Sequence, residues 1–199
     1  LPCSTAAARS KPMPVSIGYH PYFQLTDSPR EEWTITVPAR TRWFLSAQKL
    51  PTGDTEPTDG FFREFSGALK DYNLDDVFTG LSRDERGRAT ATVKGRAQRI
   101  DVALGPNFRS LVVYSPNPRN TGRGSQVPAP DPNQPTPPPR PAPSGPPNPL
   151  ATPNFVCFEP MAAISNALNL AHKGLYRDLQ SIAPGATWQE SFWVRPSGF

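Results

Sequence analysis

Apolar and polar positions alternate over short stretches of this chain. Apolar residues recur at every second position as Trp33, Ile35 and Val37 in WTITV, Ile100, Val102 and Leu104 in RIDVAL, and Phe192 and Val194 in ESFWV. Successive side chains of an extended backbone point to opposite faces, so each stretch predicts a strand with one buried face. Residues 111–114 (LVVY) and 155–158 (FVCF) are apolar throughout. That is the pattern of strands covered on both faces, and it predicts two central strands. Between these pieces stand turn-forming clusters, Thr52-Gly53-Asp54, Arg86-Gly87-Arg88 and Ala183-Pro184-Gly185, at intervals that suit antiparallel β-structure rather than βαβ units. The single helical candidate, MAAISNALNLAHKGLY at 161–176, carries two Asn and a Gly and predicts loop with at most a turn or two of helix. The predicted class is mainly β.

Composition sharpens this picture. Of 199 residues, 27 are Pro and 14 are Gly, and only 36% are apolar, which excludes a helical bundle. The length suits one domain spanning 1–199. Within it, residues 116–153 offer almost no aliphatic side chain to bury and cannot offset their ordering entropy, so a disordered Pro-rich loop is predicted there. Its PTPPPRP core suits polyproline II and could dock on an SH3-type groove. The net charge of +4 is dispersed, with no run of five like charges, so neither nucleic acid nor a membrane surface is a predicted partner. No stretch approaches the roughly 18 apolar residues that span a bilayer, and the N-terminus lacks the apolar core of a signal peptide. The compartment is not legible, with the cytoplasm as the default. A chain that begins at Leu1 rather than at methionine is expected to have been processed or cut from something longer.

Few residues carry candidate chemistry. His20 lies in IGYHPYF, where Pro21 biases it to an extended backbone and aromatics crowd both sides. Imidazole ordinarily titrates near neutrality, so a fixed histidine can give and take a proton; a purely structural His packed among aromatics is the competing reading. Glu159 follows an apolar strand and precedes Pro160, which predicts a carboxylate delivered at a strand end, either a general base or a solvated, Arg-paired acid. Asp75 and Asp76 are adjacent, so on an extended segment they face opposite ways and at most one enters any one site; a plain turn before Val77-Phe78 is the alternative. Cys3 and Cys157 are far apart and, with His20 and His172, show no zinc spacing; unpaired thiols are expected, with Cys157 buried in a strand. Phosphate-loop, HExxH, GxSxG and paired CxxC motifs are absent, which leaves proton transfer as the chemistry to consider.

The segments PVSIGYHPYFQL (14–25), PTGD (51–54), LDDVFTGL (74–81) and FVCFEPMAAISNALNL (155–170) resemble those of the aldose 1-epimerases, or galactose mutarotases, and the closing residues 170–199 are similar to that family's C-terminus. The resemblance implies an antiparallel β-supersandwich with an open sugar cleft, and interconversion of the α and β anomers of an aldohexose such as glucose or galactose. By resemblance His20 matches the general acid, Glu159 the general base, and Asp75, with Tyr22, the substrate-binding residues; Phe78 sets the register that favours Asp75 over Asp76. No metal and no organic cofactor is implied. Family members carry a long β-rich segment ahead of the HPYF motif, so this chain is expected to lack the N-terminal part of the fold. Sheet edges left open in that way would favour self-association. Val112 stands where some members place a polar sugar ligand.

Three other readings remain open on the sequence. A hexose-6-phosphate mutarotase would need a cationic pocket, for which Arg40, Arg42 and Lys49 are available, though each suits a solvated position. A catalytically idle sugar-binding or interaction module would engage its partner through the Pro-rich loop. Glycoside hydrolysis by Asp75 and Glu159 would require carboxyl groups about 5–9.5 Å apart.

Overall fold

A computed structural model describes residues 11–117 and 154–199 in full and the backbone of 2–6. The predicted Pro-rich loop, from residue 118 on, and the Cys3 side chain lie outside the described residues. In chain order the strands are β1 (Pro2–Ala6), β2 (Met13–Val15), β3 (Tyr22–Phe23), β4 (Thr34–Thr36), β5 (Ala39–Leu45), β6 (Pro51–Pro57), β7 (Ser66–Ala68), β8 (Leu74–Leu81), β9 (Ala89–Lys94), β10 (Arg99–Leu104), β11 (Ser110–Ser115) and β12 (Val156–Met161). A six-residue helix α1 (Ala167–His172) follows, then β13 (Gln180–Ile182) and β14 (Thr187–Ser197). Among the described residues no helix is long and apolar enough to cross a membrane.

Two six-stranded antiparallel sheets form a sandwich, ordered β1-β14-β10-β9-β4-β7 and β3-β12-β11-β8-β5-β6. The predicted alternation explains why they stack. Trp33, Ile35, Val93, Val102 and Leu104 of the first sheet and its flanks bury against Leu74, Phe78, Leu111, Val113 and Phe158 of the second. The second sheet is also covered on part of its outer face, where Trp43, Leu45, Val77 and Val112 pack under Ile164, Ala167, Leu170 and Tyr176 of the α1 region. This is why the central strand β11 reads as continuously apolar.

Three local expectations change. Thr52-Gly53-Asp54 is not the turn but lies inside β6. The chain reverses earlier, where Ser46 N–H donates to Leu50 O and Lys49 adopts φ 62°. Trp43 pairs with Thr55 and Leu45 with Pro51, so Thr52, Gly53 and Asp54 together stand opposite Phe44. Gly53, at φ 114°, absorbs that bulge. Val194 is 43% exposed although Phe192 is buried. β1 pairs only with residues 187–191 of β14, which leaves the far half of that strand at the sheet edge. Finally, Glu159 does not end its strand. β12 runs on through Pro160, paired with Leu111, and Met161, paired with Ser110. In a strand the nitrogen and carbonyl of one residue point to the same side. Pro160 O accepts from Tyr19 N–H (3.1 Å), so the missing N–H faces residues 17–19 and not the β11 ladder.

Candidate active site

β12 alternates strictly. Val156 and Phe158 enter the sandwich core, while Cys157 and Glu159 point to the outer face. Cross-strand pairing extends each into a row. Tyr22, Cys157, Tyr114 and Asp75 stand side by side across β3, β12, β11 and β8, and Glu159, Val112, Val77 and Trp43 form the adjacent row. The α1 region covers the Trp43 end of this face; at the other end Cys157 and Glu159 are buried, while His20, Tyr22 and Asp75 keep part of their side chains exposed.

His20 comes from the segment ahead of β3. Gly18 bridges to Met161, and Tyr19 N–H and Ala162 N–H tie residues 17–19 to the end of β12. A Cβ at Gly18 would run into the end of the Met161 side chain, which would have to move aside. The outcome is a contact between His20 Nε2 and Glu159 Oε1 of 3.0 Å, with the His20 side chain half exposed and Glu159 almost buried. Tyr22 stacks on the imidazole at 4.9 Å between centroids, Tyr114 presents its edge at 6.2 Å, and Phe155 touches both tyrosines.

Burial, with Val112 as its cross-strand neighbour, lifts the Glu159 carboxyl from 4.5 to about 7; the His20 imidazole pulls it back and the charge of Asp75 pushes it further up. Burial also drives the Cys157 thiol up to about 12, the charge of Glu159 adding to it, so Cys157 is a neutral, unpaired, buried thiol. Lys49, in the left-handed turn after β5, reaches Asp75 Oδ2 at 3.2 Å.

The two adjacent aspartates separate as alternation requires. Asp75 is half-buried on the outer face, while Asp76 lies inside the sandwich, paired with Arg42 at 2.7 Å and accepting from Asp75 N–H. Neither belongs to a turn, because both lie within β8. Arg42 is therefore not a solvated cation. It is 4% exposed, bonded to Asp76 and Glu56, and its guanidinium lies 4.2 Å from the Phe61 ring centre. Of the three basic residues considered for a cationic pocket, Arg40 is exposed and only Lys49 reaches the site row. His172 is exposed at the end of α1.

His20, Tyr22, Asp75 and Glu159 thus share one face. Sequence reasoning did not place Tyr114, Phe155 or Cys157 beside them, and it offered Lys49 only for a phosphate-binding pocket. For Cys157 a signal existed, since a residue two positions before Glu159 on a strand must share its face. Tyr114 and Lys49 arrive through strand register and hairpin geometry, which leave no mark in local sequence.

The family model of the aldose 1-epimerases matches residues 3–195. A galactose mutarotase-like protein from Clostridium acetobutylicum aligns with TM-score 0.68 at 15% identity, over 100% of this chain and 52% of its own. A protein from Synechocystis sp. PCC 6803 aligns with TM-score 0.61 at 20% identity, over 100% of this chain and 50% of its own. An aldose epimerase homologue from C. elegans gives 0.62 at 14%, over 96% and 54%. The chain spans about half the length of these structures. At such identities the likeness shows the fold, a galactose mutarotase-like antiparallel β-sandwich. No curated protein matches the chain by sequence.

Proposed function

The chain belongs to the aldose 1-epimerase family, and on that premise we propose that it interconverts the α and β anomers of a free aldohexose, with Glu159 as general base and His20 as general acid. In a cyclic hemiacetal the hydroxyl that loses a proton and the ring oxygen that gains one are bonded to the same carbon. An acid and a base working on both at once must therefore stand side by side. The observation that carries the reading is the 3.0 Å approach of the half-exposed His20, through Nε2, to Oε1 of the nearly buried Glu159.

Glu159 takes the proton of the C1 hydroxyl while His20 delivers one to the ring oxygen. The bond from C1 to the ring oxygen breaks and the open-chain aldehyde forms. Rotation about C1–C2 presents the other carbonyl face. The ring oxygen, returning its proton to His20, attacks C1, and the carbonyl oxygen recovers a proton from Glu159, which restores both groups. A carboxyl held near 7 both accepts and releases a proton at physiological pH, which is what a reversible exchange needs. Asp75, held by Lys49, supplies an acceptor for sugar hydroxyls, and the exposed Tyr22 ring offers its face to the sugar's C–H groups.

Polarimetry of freshly dissolved α-glucose or α-galactose tests the proposal. Glu159→Gln keeps shape and hydrogen bonding but cannot act as base, so it is expected to reduce the catalysed rate by about 10²–10⁴-fold. A wild-type rate in that variant would refute the assignment.

A further inference from the structure

The proposed reaction leaves one group of the site unused, the Cys157 thiol. Yet Cys157 Sγ, His20 Nε2 and a Glu159 carboxylate oxygen all lie within 4.8 Å of one another. Sulfur, imidazole nitrogen and one carboxylate oxygen form a donor set that Ca²⁺ and Mg²⁺, which take oxygen, do not select. It suits Zn²⁺, which binds all three donors tetrahedrally and in open sites uses three protein ligands.

The geometry is near closure. With bonds of about 2.0–2.3 Å, neighbouring ligand atoms of a tetrahedron sit roughly 3.3–3.8 Å apart, so each pair here is within about 1–1.5 Å of that separation. The positions are also fixed. Cys157 and Glu159 are i and i+2 on β12, a strand paired along its length with β11, and His20 follows a segment pinned to that strand through Tyr19 and Ala162. Ligands carried by paired strands pay little ordering entropy on binding a metal.

We propose that His20 Nε2, Cys157 Sγ and one Glu159 oxygen form a three-ligand site for Zn²⁺, with the fourth position opening toward the sugar-facing side of the sheet. The thiol gives up its proton as the Zn–S bond forms, the imidazole and the carboxylate bind through lone pairs, and no electron is transferred. Those two lone pairs are the ones the proposed acid and base require, so bound zinc and anomer interconversion exclude each other. That consequence rests on the acid/base reading, whereas the site itself does not.

The test uses the full chain with Co²⁺ as a spectroscopic stand-in and Zn²⁺ as competitor. Co²⁺ is expected to produce a thiolate-to-metal charge-transfer band that Zn²⁺ removes. Loss of an outer-shell partner alone costs 10–100-fold in metal affinity, so Cys157→Ser, which deletes a ligand, should abolish the band and weaken Zn²⁺ by at least about 100-fold. Cys3→Ser should preserve both. A band that survives in Cys157→Ser, or one lost in Cys3→Ser, overturns the site. Should Cys157→Ser fail to fold, His20→Gln, a change at a half-exposed side chain, gives an independent reading. Unchanged Zn²⁺ affinity there also overturns the site. If saturating Co²⁺ leaves the wild-type anomerisation rate intact while the band is present, the acid/base reading falls and the metal site stands.

Discussion

Replacing Glu159 by Gln should do two opposite things: remove activity and stabilise the fold above neutral pH. The second effect follows from the carboxyl lying at about 7 in the folded chain against 4.5 ordinarily, burial being the main cause. A raised carboxyl holds its proton more tightly when folded than when unfolded. Below about 4.5 it is protonated in both states and costs nothing. As pH rises from 4.5 to about 7 the unfolded state ionises first, and stability is lost at up to about 1.4 kcal/mol per pH unit. Above 7 the penalty is constant, formally about 3 kcal/mol. The contact with His20 and the open side of the site admit solvent screening, which reduces the expectation to about 1–2 kcal/mol. Gln carries no charge to desolvate at any pH. Its variant should therefore match wild type near pH 4.5 and exceed it at pH 8, where 1–2 kcal/mol in a chain of this size raises Tm by about 2–8 °C. Thermal melts followed by circular dichroism at both pH values decide the matter. An unchanged or lower Tm at pH 8, or an equal shift at both pH values, would refute the claim that Glu159 is a strained, desolvated base.

Under the proposed mechanism activity needs ionised Glu159 and should rise with pH through about 7, and Asp75→Asn, by removing the negative charge that pushes this carboxyl up, should move the midpoint to lower pH while raising KM. A pH profile with an unmoved midpoint would count against their coupling. Arg42→Ala leaves Asp76, fully buried, without its guanidinium and should cost about 3–5 kcal/mol in urea unfolding; a loss below about 1 kcal/mol would show the pair to be dispensable. Deleting residues 120–149 should leave Tm almost unchanged, since Tyr114 and Cys157 are already paired neighbours on β11 and β12 and closure entropy changes by only about 0.6 kcal/mol per doubling of loop length. A large drop in the thermal midpoint would show that the segment packs on the sheet.

Alternation was enough to determine much of this protein. Trp33, Ile35 and Val37, and Ile100, Val102 and Leu104, are buried as their period of two requires, and the continuously apolar strands at 111–114 and 155–158 proved to be neighbours covered on both faces. The same rule separated Asp75 from Asp76. These features are legible because they depend only on which way a side chain points from an extended backbone, a local property. The short helix inside 161–176 was equally legible, since its Asn and Gly residues limit helix length whatever lies above it.

Tertiary structure alone decided the rest. Pro160 reads locally as a strand terminator, but the segment 17–19 docks on the side where its N–H is missing, so β12 continues and Glu159 sits within the strand. Arg42 reads as a solvated cation until the sandwich closes over it and Asp76. The elevation of the Glu159 carboxyl comes from burial against neighbouring strands and from the charge of Asp75 on β8, and the meeting of His20, Cys157 and Glu159 joins residues more than 130 positions apart in sequence. Local pattern tells a residue which face it occupies; only the register between distant strands tells it what stands beside it, and both the charge state of the carboxyl and the chemistry of the site depend on that neighbour.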